Sequence, residues 1–352
     1  MAYSSIAKPT DHFNTILWTG NGADGRALTG VGFQPDWVWI KDRIDTESHC
    51  LTDAVRGATK SLRSNGTNAE ATDTDALQSF NSDGFTVGNQ GQVNKSNGDT
   101  FVGWSWKAGN SSGSSNSDGA TASTVSANTT AGFSIVGWTG TGSATTVGHG
   151  LGATPQVVLL KNRSEVYGWQ MYHESLGNGK YVSLNSTDAE ATSSQSWNDT
   201  SPTSSVFSVG ASDSNNKSGN NIIAYCFVEK KGYSKFGSYT GNGNADGTFV
   251  YTGFKPAFVL MKKTSGGQAR NWCILDNKRE GFNPENDQLH SNTTGAESMG
   301  SGTTLDLLSN GFKLRVTDDD KNGSGDPYIF MAFAENPFVG NDSGTAVPVT
   351  AR

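Results

Sequence analysis

The chain has 352 residues, of which 34% are apolar or aromatic, and its net charge of −7 comes without a run of Lys or Arg. This balance argues against a nucleic acid or an anionic membrane surface as a partner. The 44 glycines, with abundant Ser, Thr and Asn between short apolar bursts, are typical of many short strands joined by tight turns. The composition therefore predicts an all-β protein.

Neither export nor membrane insertion is indicated by the sequence. The polar start MAYSSIAKPTDHF lacks the basic and apolar regions of a signal peptide, and no apolar run approaches the roughly 18 to 20 residues that span a bilayer. The three cysteines, Cys50, Cys226 and Cys273, are too few and too scattered for a disulfide framework. We therefore expect free thiols and synthesis in a reducing cytoplasm.

The first predicted strand covers 13–18 and ends at the turn formers TGNG. The next strand contains the continuous apolar run WVWI at 37–40, which indicates a strand that is covered on both faces. Further along, SDGFTVG at 82–88 predicts another strand. It is followed by a predicted polar hairpin turn at 94–99 and by a closing strand at 101–106.

This series of stretches recurs three times along the chain. The opening stretches are WTGNG at 18–22, WTGTG at 138–142 and YTGNG at 239–243. The predicted hairpin turns are NKSNGD at 94–99, NKSGN at 216–220 and KNGSGD at 321–326. The recurrence predicts one fold that is used three times.

The recurrence divides the chain into three modules, a linker and a tail. Module one covers 1–108, a Ser/Gly/Asn-rich linker 109–130, module two 131–230, module three 231–338, and a loosely ordered tail 339–352. The first half of the linker is expected to be flexible, and its second half could add a strand to module two. Seven or eight short strands in about 100 residues favour three tandem antiparallel β-sandwiches, with jelly-roll and other sandwich topologies both open.

Corresponding carboxylates are the first candidates for chemistry. They are Glu70, Glu190 and Glu297, with Asp53 and Asp276 nearby in sequence. Paired carboxylates suggest glycoside hydrolysis, but module two has His173 in place of the aspartate, and no sequence feature indicates a buried, protonated partner. We favour the alternative that these acids cap turns or form surface pairs with Arg56, Arg63 and Arg279. No catalytic residue is predicted.

The acidic stretch at 317–326 is the strongest metal candidate. Asp318, Asp320 and Asn322 resemble the first half of a calcium loop, but position 12 of such a loop falls on Ile329, where a glutamate is needed. Hairpin turns use the same residue types. We favour the turn and predict no metal or cofactor, with a weak Ca²⁺ site that also includes Asp326 as the alternative.

One aromatic group is a candidate for ligand binding. Trp197 lies in segment 192–205, which is inserted relative to the other modules and has no clear equivalent there, as expected of a loop that carries recognition. Tyr167 and Tyr172 flank Trp169 in the same module and could add to an aromatic platform for a sugar ring. The favoured alternative is that Trp197 packs on its own sandwich.

Six stretches together form a recognisable pattern. They are FNTILWTGNG at 13–22, GVGFQPDWVWIKDR at 30–43, SDGFTVG at 82–88, TFVGWSWKAG at 100–109, VSANTTAGFSIVGWTGTG at 125–142 and VGHGLGATPQVVLLKNR at 147–163. The pattern resembles virion structural proteins of tailed bacteriophages, particularly those of marine bacteria and cyanobacteria. The resemblance implies tail or fibre components built from β-sandwich modules similar to concanavalin A-like lectins, and it carries over no catalytic residue.

The resemblance implies a place on a phage particle after synthesis in the host cytoplasm. We expect a non-enzymatic tail fibre or related adhesion component that contacts other virion proteins and a glycan or protein of the host surface. A capsid decoration protein and a polysaccharide depolymerase of the tailspike kind are alternatives, and a cellular adhesin ranks last because it predicts an export signal. Phage fibres are usually homo-oligomers, and a trimer is expected by analogy, although no heptad run provides a coiled coil.

Overall fold

A computed structural model describes residue 4 and residues 6–96, 98–265, 270–299 and 304–337. The chain is all-β and consists of several antiparallel sheets, as the composition predicts. The tail at 339–352 lies outside the described residues. No helix within the described ranges is long and apolar enough to cross a membrane.

Module one places a larger and a smaller sheet on either side of its own core. Its strands are β1 (Phe13–Thr19), β2 (Arg26–Thr29), β3 (Trp37–Asp42), β4 (Cys50–Asp53), β5 (Lys60–Ser61), β6 (Ala71–Thr72), β7 (Leu77–Asn81), β8 (Gly84–Val87) and β9 (Thr100–Trp106). A 3₁₀ turn at Pro9–Asp11 precedes β1, and the short helix α1 (Gly91–Asn94) follows β8. The larger sheet has the order β1-β9-β3-β4, the smaller one β2-β8-β7, and β5 pairs with β6.

The segment between modules one and two carries two strands, β10 (Ser114–Asn116) and β11 (Ser123–Asn128). Module two follows with β12 (Phe133–Thr139), β13 (Thr145–Gly148), β14 (Val157–Asn162), β15 (Gln170–His173), β16 (Lys180–Tyr181), β17 (Ala191–Thr192), β18 (Val206–Val209) and β19 (Asn221–Phe227). Its helical pieces are a 3₁₀ turn at Glu174–Leu176, α2 (Ser194–Trp197) and α3 (Asp213–Asn216). The larger sheet has the order β10-β11-β12-β19-β14-β15, so β10 and β11 extend it by two strands. The smaller pairs are β13-β18 and β16-β17.

Module three repeats the arrangement of module one. Its strands are β20 (Ser234–Thr240), β21 (Phe249–Tyr251), β22 (Phe254–Lys263), β23 (Cys273–Asp276), β24 (Asp287–Gln288), β25 (Ser298–Met299), β26 (Leu305–Leu308), β27 (Gly311–Leu314) and β28 (Pro327–Pro337). The larger sheet has the order β20-β28-β22-β23 and the smaller one β21-β27-β26, while β24 pairs with β25. The larger sheets of all three modules therefore share one strand order.

The apolar run in β3 is buried on both faces, as its sequence predicts. Trp37 and Trp39 point into a core that all three modules share, whereas Val38 and Ile40 point into the core of module one. The equivalent strands β14 and β22 divide their side chains in the same way between the shared core and the core of their own module. Each larger sheet is thus a middle layer with apolar side chains on both sides.

Aromatic rings join the three modules within the shared core. The ring of Trp37 in module one stacks on Tyr225 in module two, with their centroids 4.4 Å apart. Phe227 in module two packs against Phe333 in module three at 5.8 Å, and Phe333 stacks on Phe13 in module one at 5.3 Å. Every pair of modules is therefore in direct contact.

Backbone hydrogen bonds show that the modules are arranged as a closed ring. The bonds run from Glu70 N–H to the Arg163 oxygen, from Glu190 N–H to the Thr264 oxygen, and from Glu297 N–H to the Arg43 oxygen, each at 2.8 Å. Module one thus donates to module two, module two to module three, and module three back to module one. The same contact is used at all three interfaces, which gives the ring approximate threefold symmetry.

The prediction of hairpin turns at 94–99, 216–220 and 321–326 is wrong. Each segment leaves a strand of the smaller sheet and enters a strand of the larger sheet. The reason is a buried asparagine. Oδ1 of Asn94 accepts from Asn21 N–H at 3.0 Å, and its Nδ2 donates to the oxygens of Ala23 and Gly88 at 2.8 and 3.2 Å. The same bonds are made by Asn216 and Asn322. The opening loop of each module is therefore held by an amide of its own chain.

The two ends of the described chain lie together. A Cβ atom placed on Gly232 would lie 2.7 Å from Oγ of Ser4 and 3.4 Å from Cβ of Pro337. Ile6 is buried in the shared core. The first and last residues of the ring are therefore both packed against the joint between modules two and three.

The three cysteines are free and buried, one in each module. They are Cys50, Cys226 and Cys273. Burial raises the pKa of each thiol, which disfavours the reactive thiolate. Their place in the module cores is that of small apolar side chains.

Candidate functional site

The aromatic residues predicted to bind a ligand do not form an exposed platform. Trp197 is 2% exposed, and its indole N–H donates to the Lys180 oxygen at 3.0 Å. Its ring packs edge-on against Tyr172, which is also buried. Tyr167 is partly exposed, and its hydroxyl donates to Asp213. Stacking on a sugar requires an open ring face, so burial of Trp197 and Tyr172 argues against that role.

Trp197 also has an equivalent in module one, contrary to the sequence interpretation. Gly88 and Gly210 occupy the same place after β8 and β18. The N–H of Gly88 donates to the Ala76 oxygen, next to Leu77, and the N–H of Gly210 donates to the Ser196 oxygen, next to Trp197. Leu77 is fully buried in the core of module one. Trp197 therefore takes the place of an apolar core residue, which is the favoured alternative of packing on its own sandwich.

The recurring glutamate of module one lies at the interface with module two. Glu70 accepts from Nε and Nη2 of Arg163, both at 2.8 Å, and from Nη1 of Arg56 at 3.2 Å. Arg56 also pairs with buried Asp53, which accepts from the hydroxyl of Tyr225 at 2.7 Å. Burial alone would raise the pKa of Glu70, but the two guanidinium groups outweigh it and lower this pKa. The predicted pairing of these carboxylates with Arg56 is confirmed, but the pairs are buried between modules and not on the surface as predicted.

The same network recurs between modules three and one. Glu297 accepts from Nε and Nη2 of Arg43 and from Nη1 of Arg279 at 2.8 Å. Arg279 pairs with buried Asp276, which accepts from the indole N–H of Trp104 at 3.0 Å. Burial would raise the pKa of Glu297, but Arg43 and Arg279 lower it. Two of the three interfaces are thus built from equivalent ion pairs.

Among the residues that the structure describes, the interface between modules two and three does not have this network. The carboxylate of Glu190 pairs with Lys180, whose side chain is 41% exposed. His173 stands where the other modules have aspartate, and its Nε2 lies 3.3 Å from the Phe330 oxygen. Burial lowers the pKa of His173 to about 4, so the ring is neutral near pH 7. Its Nδ1 accepts from Ser175 N–H, and its Nε2–H therefore donates a hydrogen bond to the Phe330 oxygen. At the position of the buried aspartate, this interface therefore has a neutral ring where the other two interfaces have a charge.

A third contact recurs at every interface. A ring N–H near the start of β4, β15 or β23 reaches a backbone oxygen of a neighbouring module. The pairs are His49 to His290, Trp169 to Arg63 and Trp272 to Ser183, at 3.0, 2.8 and 2.9 Å. Arg63, predicted to pair with a carboxylate, acts here through its backbone.

The acidic stretch at 317–326 is occupied by structural contacts. The buried amide of Asn322 holds the opening loop of module three. Asp318 accepts from Lys321 at 2.8 Å, and Asp326 accepts from Lys263 at 2.5 Å. Among the residues that the structure describes, no group of three or more His, Cys, Asp or Glu side chains could hold a metal ion.

A polar groove, which we name the module-two groove, lies between module one and the extended sheet of module two. Its volume is about 330 Å³. Gly137 of β12 forms its floor, and Val55 of module one forms a wall, with Cγ1 3.5 Å from the position of a Cβ on Gly137. The polar side chains of the lining are Ser115, Ser123, Thr124, Thr139, Arg163 and Asn221. The groove thus combines one apolar wall with a polar rim.

The groove has a floor at Gly137 because this residue has no side chain, whereas its neighbours in the same row across the sheet do. Ser115, Thr124, Gly137 and Ile223 are successive partners across β10, β11, β12 and β19. Directly paired residues of antiparallel strands share one face of the sheet. Ile223 is buried in the shared core. The next residue in the row, Gly137, has no side chain, so the space above it is open to solvent. The groove therefore lies at the rim of the shared core.

Modules one and three differ from module two in both features that make the groove. In their described parts, the larger sheets end at the edge strands β1 and β20. The residues that take the place of Gly137 are Leu17, which is 40% exposed, and Ser238. The groove therefore lies where the three repeats diverge.

The groove has little net charge. Arg163 donates Nε and Nη2 to Glu70, whose lowered pKa keeps it ionised near neutral pH. The two charges therefore compensate each other. Exposed hydroxyl and amide groups are available to a ligand on Ser115, Thr124, Thr139 and Asn221.

Sequence reasoning did not single out Gly137 or Asn221. A signal was present in the alignment of the repeats, since Gly137 stands where module one has Leu17. The segment 109–130 also has no counterpart at the short joint at 229–235. A position-by-position comparison of the repeats would therefore have marked Gly137 and the segment 109–130 as places where module two differs.

Comparison with known proteins places the whole ring in one family. A model described as a domain of unknown function, DUF7483, matches residues 8–337. The chain belongs to the DUF7483 family. The match includes all three modules, so the DUF7483 unit corresponds to the closed ring and not to a single module. No curated protein and no solved structure matches the chain.

Proposed function

We propose that this chain is a non-enzymatic structural protein of a phage particle, and that it acts as a tail fibre or related adhesion component that contacts the host surface. The observation that carries the proposal is the shared aromatic core, which holds three modules in one ring. Domains joined only by linkers reorient freely, whereas modules with a common core move as one body. Such a body suits a component that connects a particle to a surface. The resemblance of stretches such as 13–22 and 147–163 to virion proteins supports the phage assignment.

The proposal includes the finer fold of each module, an antiparallel β-sandwich of the jelly-roll or concanavalin A-like kind. A larger and a smaller antiparallel sheet enclose a core in each module, which supports a sandwich. Comparison of the strand order with jelly rolls in an experimental structure tests this part.

The state of the recurring carboxylates favours binding over hydrolysis. Glu70 and Glu297 each accept from two arginines, and a lowered pKa opposes the protonated form that a general acid needs. The tailspike alternative is tested by incubating the protein with host envelope polysaccharide and measuring new reducing ends. We expect none. Release that disappears in Glu190→Gln, with the unfolding midpoint unchanged, would establish an enzyme instead.

The location of the chain is tested by electron cryomicroscopy of the source particle with antibody labelling. We expect density on the tail. Density on capsid faces or vertices would replace the adhesion role with a decoration role. Purified particles without the chain would overturn the virion assignment itself.

The proposal also includes a homo-oligomer, with a trimer expected by analogy with phage fibres. Sedimentation velocity of the purified chain measures this directly. A monomer at micromolar concentration would mean that the three modules of one chain already form the functional unit.

A further inference from the structure

We infer that the module-two groove is a binding site for a neutral oligosaccharide, held by the exposed side chains of Thr124 and Asn221 above the floor at Gly137. The inference rests on the proposed contact with a host surface and adds the ligand class and the residues. It has a separate basis, because it uses the shape, lining and charge of one groove.

The size of the groove fits one or two sugar rings. Its volume of about 330 Å³ lies at the lower end of the range of roughly 300 to 1,000 Å³ that is usual for small-ligand sites. A second cavity of about 290 Å³ also has Ser115 in its lining.

The lining matches the two-sided chemistry of a sugar ring. A pyranose has an apolar C–H face and a periphery of hydroxyl groups, which both donate and accept hydrogen bonds. The methyl groups of Val55 and the Cα methylene of Gly137 offer an apolar surface. Next to this surface, the hydroxyl of Thr124 and the amide of Asn221 can each donate and accept.

The charge of the groove selects a neutral ligand. An anionic sugar would seek an unpaired cation, but Arg163 already gives two donor groups to Glu70. A cationic ligand would meet the guanidinium of Arg163 in the lining. The remaining polar groups of the lining are hydroxyls and one amide, which favour uncharged hydroxyl-rich ligands.

Module one supplies the substitution that tests the site. Gly137→Leu introduces the residue that module one has at the equivalent position and fills the floor of the groove. A Cβ at this position would lie 3.5 Å from Val55 and 3.8 Å from Ile223, which are ordinary contacts, and Gly137 has no positive φ. The fold should accept the change. The matched control is Ser238→Leu, which introduces the same residue at the equivalent position of module three, where the sheet has four strands.

The experiment is saturation-transfer NMR on the full chain with four neutral probes: triacetylchitotriose, maltotriose, mannotriose and lactose. We expect at least one probe to bind, Gly137→Leu to weaken that binding at least about tenfold, and Ser238→Leu to leave it unchanged. Asn221→Ala, which alters an exposed side chain and leaves the unfolding midpoint unchanged, should weaken binding severalfold. These results together support the site.

Four results would overturn it. None of the four probes binds; or binding survives Gly137→Leu; or sialyllactose or a sulfated disaccharide binds more tightly than the neutral probes. Binding only of a peptide that pairs with the edge strand β10 would also replace a sugar site with a protein contact. The test uses purified protein, so its failure removes the groove as a sugar site while particle microscopy separately decides the virion role.

Discussion

Replacing Glu70 by Gln tests whether the ion pairs between modules one and two stabilise the ring. Removing one partner of a buried pair typically costs about 3–5 kcal/mol. The side chains of Glu70 and Arg163 are 13% and 19% exposed, and Arg56 keeps Asp53 as a partner, so we expect a smaller loss of about 2 kcal/mol in the free energy of unfolding.

The equivalent change in module two is the matched control. Glu190 occupies the same place in the ring, but its carboxylate pairs with Lys180, whose side chain is 41% exposed. Exposed ion pairs contribute about 0.2–1 kcal/mol, so Glu190→Gln should cost less than about 1 kcal/mol. Glu297→Gln should resemble Glu70→Gln, because Arg43 and Arg279 surround it in the same way.

The assay is urea unfolding, since guanidinium salts would screen the ion pairs. The folded-state pKa of Glu70 lies below its ordinary value of 4.5, so its stabilising contribution is full above pH 4.5 and is lost as the pH falls through the folded pKa. The difference between wild type and Glu70→Gln should therefore narrow below about pH 4.5. Equal losses for Glu70→Gln and Glu190→Gln, or a difference that does not change with pH, would refute the reasoning.

Three further predictions concern the contacts within the ring. Leu159 with Trp169 in module two, and Leu260 with Trp272 in module three, stand where module one has Trp39 with His49. Trp39→Leu and His49→Trp should each cost about 1–3 kcal/mol alone, and the double variant should recover part of this loss because it restores the pair of the other modules. A double-mutant cycle in which the double variant recovers nothing would contradict this equivalence. Burial lowers the pKa of His49 to about 3, so its contribution is present above pH 6.5 and is lost as the pH falls toward 3; the double variant should lose this acid sensitivity in thermal unfolding. Asn216→Ala leaves several groups of an opening loop unpaired and should lower the free energy of unfolding by about 2–4 kcal/mol in urea; a loss below about 0.5 kcal/mol would show that the amide does not hold the loop. A circular permutant that joins Pro337 to Ser4 and opens the chain before β10 should fold with an unchanged circular dichroism spectrum, whereas an unfolded product would contradict the proximity of the two ends.

The strands could be predicted because their signals are local. The sequence predicts the first strand at 13–18, and it is observed at Phe13–Thr19; the apolar run at 37–40 lies in the strand Trp37–Asp42. Alternation of apolar side chains and nearby turn formers determines such strands within a few residues of sequence. Repetition of the same signals in three places made each prediction stronger.

The closure of the ring could not be predicted from those signals. A strand that is apolar on both faces is expected to be packed on both sides, but its sequence does not show which part of the protein packs on each side. In β3, one cover is the core of module one and the other is built from all three modules. Long-range contacts such as Trp37 with Tyr225 leave no periodic trace in either segment.

The wrong predictions, that 94–99 and its equivalents are hairpin turns and that Trp197 has no equivalent in the other modules, have a common cause. Polar residues such as Asn94 are typical of exposed turns. The amide of Asn94 is nevertheless buried, because it pairs with backbone groups of the opening loop that would otherwise have no hydrogen-bond partner. An apolar side chain in a polar segment suggested an exposed loop, yet Trp197 fills the position of Leu77. Composition of a segment does not reveal the direction of one side chain.

The extended sheet of module two shows that a ring built from one chain can change at one module alone, which a ring of three identical chains cannot do. In a homotrimer every substitution appears three times, so an opening at one subunit would be repeated in the other two. Here each copy is encoded separately, and Gly137 opens one position while Leu17 and Ser238 stand at the others. The ring therefore keeps a symmetric framework but carries this groove at one position. If the groove binds as inferred, the valency of a particle equals the number of chains it carries, and not three times that number.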